Sequence, residues 1–234
     1  MGNKRKNSNY ITKKSIEREK QRYISERRRK RRKTLCIVLY AILSAILVAG
    51  IVLALGFGVF GWGRQKFEVT HHATIEIEDY GTVHVELYGK EAPITVANFV
   101  ELANSGFYNG LTFHRIVDGF VVQGGKSDSA TLSPIKGEFN DNGVDNDITH
   151  KRGVISMART GQYDSATSQF FIVQKTSAEN TKTLDGAYAA FGKVTSGMDV
   201  VDKICKDADP IDDNGSILPS KQPKIKSITI HASH

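Results

Sequence analysis

Arg115 sits in the stretch FHRIVDGFVVQGG, residues 113–125, just ahead of an apolar run that ends in Gln123 and two glycines. Two readings follow from that setting. Arg115 is ordinary surface charge, the usual place for an arginine, or it is the working cation of a site walled by Phe113, Phe120 and Val121.

Other chemistries fail on spacing. GFVVQGGKS imitates a phosphate-binding loop, but its first glycine stands one residue too far from the Gly-Lys pair. Neither HExxH nor GxSxG occurs. The acidic stretches EFNDNGVDND and DADPIDDNG lack the ligand order of an EF-hand loop and are expected to be solvated loops. His71 and His72 are a histidine pair in a linker, which alone makes no metal site. No metal and no cofactor is expected. Ser156, Ser165 and Ser168 are candidates to pair with His114 as nucleophile and base, but no sharp nucleophile turn surrounds any of them. One cation, several aromatic side chains and some amides remain, without an obvious proton-transfer pair. That inventory suits a reaction that breaks no covalent bond.

The elements that would position these groups can be read from periodicity. ATIEIED and TVHVELY alternate apolar and polar residues across a YG turn, with Val83, Val85 and Leu87 on one face. This is the pattern of an antiparallel hairpin with one buried face. APITVANFVELANSG changes period: Val96, Phe99, Val100 and Ala103 form a helical stripe, started by Pro93 and stopped by Gly106. A second helix fits SGMDVVDKICKD, with Met198, Val201, Ile204 and Cys205 on one face. LTFHRI, FVVQGG, GVISMAR, SQFFIVQ, AAFGKV and KIKSITI read as short strands. Many short strands with two helices predict a mainly-β fold, a closed antiparallel barrel with a helix at each end.

The net charge of +7 is unevenly spread. Residues 1–33 hold 15 Lys/Arg and 3 Asp/Glu, leaving 17 basic and 22 acidic residues after them, a net of −5. A nucleic-acid partner for the body would start from the wrong sign of charge. The tail 1–33 is expected to be disordered, with possible contact to anionic lipid. Residues 34–63 are 30 residues without a charge, more than the ~20 that span a bilayer. The basic side of this run faces the cytoplasm by the excess of Lys and Arg at 27–33. Both the run and the basic region are too long for a cleaved signal peptide. The expectation is a single-pass transmembrane helix over 34–63, a linker over 64–72 and an extracytoplasmic domain over 73–234. Cys36 and Cys205 would then lie on opposite sides of the membrane, unable to form a disulfide.

Four ordered segments resemble the cyclophilins, peptidyl-prolyl cis–trans isomerases: FHRIVDGFVVQGG, GVISMAR, DSATSQFFIV and LDGAYAAFGKV. IKGEFNDNGV and DSATSQFF resemble the bacterial branch. The resemblance covers about Ala73 to Ile230. It implies an eight-stranded antiparallel barrel capped by two helices, a proline-containing polypeptide as substrate, and neither metal nor cofactor. It gives Arg115 the catalytic role. It makes Phe120, Val121, Phe171, Leu184 and Tyr188 the proline pocket, with Gln123 on the substrate backbone and Gln169 beside it. The backbone of Ala158 and Arg159 would form the peptide groove, Phe113 would lie in the core under the site, and His114 would support it. Phe170 and Phe171 are consecutive on a strand, so Phe170 would face the core. Many members carry methionine at Val121, asparagine at Arg159, tryptophan at Thr183 and histidine at Tyr188. The tryptophan donates a hydrogen bond to cyclosporin in the family, so Thr183 implies weak cyclosporin binding. The expected protein is a monomeric, membrane-anchored isomerase or rotamase acting on exported proteins as a folding catalyst. The competing expectation is a proline-binding module or holdase chaperone with little turnover.

Overall fold

The computed structural model describes residues 67–128 and 131–232. The basic tail and the expected span over 34–63 lie outside the described residues. Among those described, no helix is long and apolar enough to cross a membrane.

The described residues form eight strands: β1 His71–Ile77, β2 Gly81–Leu87, β3 Phe113–Val117, β4 Val121–Gly124, β5 Val154–Met157, β6 Phe170–Val173, β7 Ala190–Ser196 and β8 Ile225–Ala232. They form one antiparallel sheet in the order β3-β4-β6-β5-β7-β2-β1-β8. The β1–β2 hairpin has the expected phase: Val83, Val85 and Leu87 are buried, with Val83 opposite Ile75 and Val85 opposite Ala73. His71 and His72, expected in the linker, are the first residues of β1. Phe67 and Val69 already pack against Tyr88, with the Phe67 and Tyr88 rings 5.2 Å apart.

The sheet curls into a half-barrel, not the fully closed barrel expected. Its edge strands β3 and β8 meet only where they begin, through a bridge between Thr112 and Lys224. Two causes are visible. Pro223 has no N–H to continue a ladder. The rest of the outer edge of β3 is occupied by residues 215–217: Ile116 N donates to Gly215 O at 2.8 Å and Ile217 N to His114 O at 3.0 Å.

Helix α1 spans Pro93–Asn104, with proline in its first turn and Gly106 beyond its end at φ +72. It buries Val96, Phe99, Leu102 and Ala103. Phe99 is fully enclosed, with the rings of Tyr108, Phe170 and Phe191 at 5.2–5.6 Å. Truncating a side chain so packed costs about 3–5 kcal/mol. Helix α2 spans Ala178–Leu184 and is capped by the Ser177 hydroxyl, which accepts from Asn180 N at 3.0 Å. It was not expected, because Leu184 is its one buried residue and no stripe marks it. Helix α3 spans Met198–Asp207 and buries Val200, Val201, Ile204 and Cys205. Cys205 is a free thiol.

The stretch EFNDNGVDND is only in part the solvated loop expected: Asp141, Asp145 and Asp147 are exposed, but Glu138 and Asn146 are buried. Glu138 is 2% exposed and its carboxylate accepts from the α1 amides Ile94 N at 3.0 Å and Thr95 N at 2.7 Å. These are helix-start donors with no partner inside the helix, and the anion complements the helix dipole. Asn146 is also buried, donating to Glu138 O at 2.9 Å and Ala190 O at 2.8 Å. Local hydrophilicity suggested solvent, but Glu138 and Asn146 satisfy backbone groups that would otherwise be buried alone.

Candidate functional site

Strands β5 and β6 are buried on both faces. Alternation sends Phe170 and Ile172 into the main core with Phe99 and Phe113, and Phe171 and Val173 into a smaller apolar cluster with Val121 and Leu184. The candidate site stands on that second face. One cross-strand row carries it: Arg115 on β3 pairs with Gln123 on β4, Gln123 with Phe171 on β6, and Phe171 with Ser156 on β5. Four residues distant in sequence are thereby set side by side at the ~4.8 Å spacing of a sheet.

A cavity of about 240 Å³ opens over this row. Phe120, Val121, Phe171 and Leu184 give it an apolar wall. Arg115 and Gln123 line it from β3 and β4, and Ala158, Arg159, Thr183 and Tyr188 line the remainder. Gln169 does not line the cavity, but its Oε1 accepts from Gln123 Nε2 at 3.1 Å. Phe113 is fully buried in the main core and is no part of the wall.

The Arg115 guanidinium is held at two points. Its Nε donates to Asn214 O at 2.8 Å and its Nη1 to Gln123 Oε1 at 3.3 Å. The Asn214 carbonyl comes from the same loop that covers the edge of β3. A turn fixes that loop, with Gly215 N donating to Asp212 O at 3.1 Å and Ser216 N to Asp212 Oδ1 at 2.9 Å. Gly215 adopts φ +83, and a Cβ there would stand 2.4 Å from Ile116 O, so only glycine fits. Helix α2 is tied to the β3–β4 turn through Asn180 Nδ2, which donates to Gly119 O at 2.9 Å. That tie sets Leu184 over the cavity. The Ala158 N–H is donated to Gln169 O at 2.9 Å, so this amide is not available to a peptide.

Arg159 is fixed by other means. Its Nε donates to Ala187 O at 2.8 Å and its Nη1 to Thr160 O at 2.9 Å. Its guanidinium carbon lies 4.8 Å from the Tyr188 ring centroid and 5.1 Å from those of Phe139 and Tyr163. Tyr188 meets Phe171 edge-on at 5.6 Å.

Sequence reasoning missed what lies beneath Phe171. Ser156 pairs with His150, not with His114: His150 Nε2 is 3.0 Å from Ser156 Oγ, and His150 Nδ1 is 2.8 Å from Asp185 Oδ1. Acceptance by the Asp185 oxygen sets the tautomer, with the proton on Nδ1 and the Ser156 hydroxyl donating to Nε2. Burial holds the His150 pKa below the usual imidazole range, outweighing the upward pull of Asp185. This Ser-His-Asp line is not hydrolytic, because Ser156 is 0% exposed and Phe171 neighbours it in the row. Ser165 and Ser168 are engaged elsewhere, donating to Gln162 O at 2.6 Å and Gly125 O at 2.8 Å. The cavity thus presents a planar cation and an amide beside an apolar wall, which can polarise a bound group without taking its proton.

The chain is similar to known proteins. The family model described as cyclophilin type peptidyl-prolyl cis-trans isomerase/CLD matches residues 72–230. Over 168 residues the chain is 42% identical to peptidyl-prolyl cis-trans isomerase A of Dickeya dadantii, covering 69% of this chain and 85% of that one. Over 127 residues it is 47% identical to peptidyl-prolyl cis-trans isomerase B of Bacillus subtilis, covering 53% and 82%. A crystal structure of a Cryptosporidium parvum cyclophilin-type isomerase, solved in the presence of the dipeptide Ala-Pro, aligns with a TM-score of 0.58 and 26% identity. That alignment covers 69% of this chain and 99% of the other.

Proposed function

Because the chain belongs to the cyclophilin-type peptidyl-prolyl cis-trans isomerases and is such an isomerase, we propose that Arg115 carries its catalysis. Turning a peptide bond means giving up amide resonance, a barrier of ~18–20 kcal/mol. Xaa-Pro bonds populate both isomers but exchange over tens to hundreds of seconds. In the twisted transition state the prolyl nitrogen becomes pyramidal and regains a lone pair. A guanidinium aimed at that nitrogen stabilises the twisted state more than either planar state, and that difference is catalysis.

The observation that carries this reading is the double anchoring of Arg115 at the cavity, by Asn214 O and Gln123 Oε1. The cation is already in place, so little reorganisation is needed when the bond twists. The proline ring would enter the wall of Phe120, Val121, Phe171 and Leu184, with Tyr188 beside it. Gln123, steadied by Gln169, would hold the substrate backbone. Ala158 and Arg159 would border the groove. None of these roles requires a base, a nucleophile or a metal.

The clients we propose are proline-containing segments of exported proteins. The charge-free run 34–63 behind a basic tail supports a single-pass anchor with the isomerase outside the cytoplasmic membrane. Tethering would raise its concentration where new chains emerge. Two measurements test the two parts. Exchange spectroscopy on an Ala-Pro peptide with the full-length protein is expected to show acceleration that falls on the order of 10²–10³ in Arg115→Ala. Acceleration undiminished in a folded Arg115→Ala protein would remove Arg115 from the chemistry. Protease added to intact protoplasts is expected to cleave the isomerase domain from the membrane fraction, and full protection would overturn the topology.

A further inference from the structure

Two guanidinium groups line one cavity and neither is neutralised. Among the described residues the ion pairs lie elsewhere, Arg152 with Asp202 and Lys221 with Asp209 among them, and none involves Arg115 or Arg159. Arg159 is the more telling of the two. Every partner that holds it is neutral: two backbone carbonyls and the faces of Phe139, Tyr163 and Tyr188. These contacts fix the cation, as ring faces and carbonyl oxygens do, without cancelling its charge. Its Nη2 makes no hydrogen bond among the described residues, although the side chain is half-buried.

The carboxylates that could answer it are committed to other groups or other places. Asp164 accepts from Gly137 N at 2.9 Å and Asn142 Nδ2 at 2.7 Å. Asp185 is held by His150. Asp141, whose N–H is donated to Gly186 O at 2.8 Å, makes no ion pair with Arg159, and Asp212 and Asp213 belong to the loop that carries Asn214 to Arg115. A pre-positioned donor cation with a spare N–H is a place for an anion that arrives with the substrate.

We propose that Arg159 is a specificity-determining residue that favours proline segments bearing a carboxylate side chain next to the proline. This rests on the isomerase reading of the cavity. The chemistry recognised is a glutamate or aspartate adjacent to the isomerising bond. A lysine or arginine in its place meets like charge at close range. Because the guanidinium is already immobilised by its neutral contacts, pairing with it orders only the peptide's side chain, and little conformational freedom is lost.

The test compares peptides that differ only in Glu, Ala or Lys beside the proline, in one set before it and in another after it. Catalysed exchange is measured with the full-length protein and normalised to each peptide's uncatalysed rate. Wild type is expected to turn over the Glu peptide about five-fold better than the Lys peptide in at least one set, with Ala between, a ratio worth ~1 kcal/mol. Raised ionic strength shrinks the ratio, because the pair is half-exposed. Arg159→Lys retains most of it and Arg159→Gln brings it to about one. The ratio is read within each protein, so a general loss of rate in a variant does not obscure it, and circular dichroism confirms folding. Equal turnover of Glu and Lys peptides in both sets of wild type overturns the inference while leaving the isomerase reading intact. A ratio that survives in Arg159→Gln overturns it as well. Absence of acceleration on every peptide overturns the isomerase reading and this inference with it.

Discussion

The imidazole of His150 lies nearly parallel to the ring of Phe171, with centroids 6.1 Å apart and planes inclined by 20°. Asp185 fixes one edge of the imidazole and Ser156 the other. The aromatic wall of the cavity therefore rests on a buried ring that cannot turn without breaking two hydrogen bonds.

That arrangement makes stability depend on pH. His150 is buried and its pKa is lowered, chiefly by desolvation. The unfolded chain therefore takes up a proton at higher pH than the folded one. The contribution is complete above the ordinary histidine pKa of ~6.5 and is lost as pH falls from there through the lower folded value. His114, lowered by burial and by Lys126, acts in the same sense. Urea unfolding of His150→Gln is expected to show a shallower rise of stability between about pH 5 and pH 7. It should also show a loss of about 1–3 kcal/mol at neutral pH, from unpaired buried groups. A pH slope equal to wild type would contradict the assignment.

Lysine is not expected to replace Arg115. An ammonium on a flexible stem keeps the charge but not the plane that bonds Asn214 O and Gln123 Oε1 together. Arg115→Lys is expected to lose on the order of 10² in kcat/KM with unchanged circular dichroism. Wild-type turnover in this variant would show that charge alone suffices.

The loop behind Arg115 gives a second route to the same loss. Gly215→Ala puts a Cβ against Ile116 O and imposes a left-handed conformation on alanine. The strain is about 1–3 kcal/mol. Relief by moving the loop withdraws Asn214 O from Arg115. Chemical denaturation and peptide exchange should fall together, and a fully active, equally stable variant would show that the loop does not position the cation.

Cyclosporin is expected to inhibit this protein weakly. The Thr183 hydroxyl donates to Glu179 O at 2.9 Å, within its own helix, and offers no donor to the cavity it lines. Thr183→Trp is expected to tighten inhibition by up to about tenfold, the worth of one net hydrogen bond. Nanomolar inhibition of wild type would show that binding does not need that donor.

Much of this was legible in residue order and some was not. Period-two alternation in TVHVEL gave the hairpin and its phase, and adjacency on a strand separated Phe170 from Phe171. The four motif segments carried Arg115, Gln123 and Phe171, because strand pairing sets them in one row. His150 was missed for the converse reason. Its partner Asp185 is 35 positions away, and burial made by folding is what gives the pair its meaning. Glu138 was misread because a carboxylate in a run of Asn and Asp looks solvated until the start of α1, 43 positions earlier, is brought against it. Helix α2 has too few apolar residues to announce itself. The half-barrel edge was hidden because a loop, not a strand, finishes the outer side of β3.

That loop-covered edge also bears on how a client would be gripped at the proposed site. A bare edge at β3 would let any extended chain zip onto the strand through its backbone, residue after residue, and stay. With the Ile116 N–H taken by Gly215 O and the His114 carbonyl by Ile217 N, a segment visiting the proposed site would meet mainly side chains around one proline. Its dwell time would then be set by a single ring and its immediate neighbours. A catalyst that must serve many sequences and release either isomer gains from such short visits.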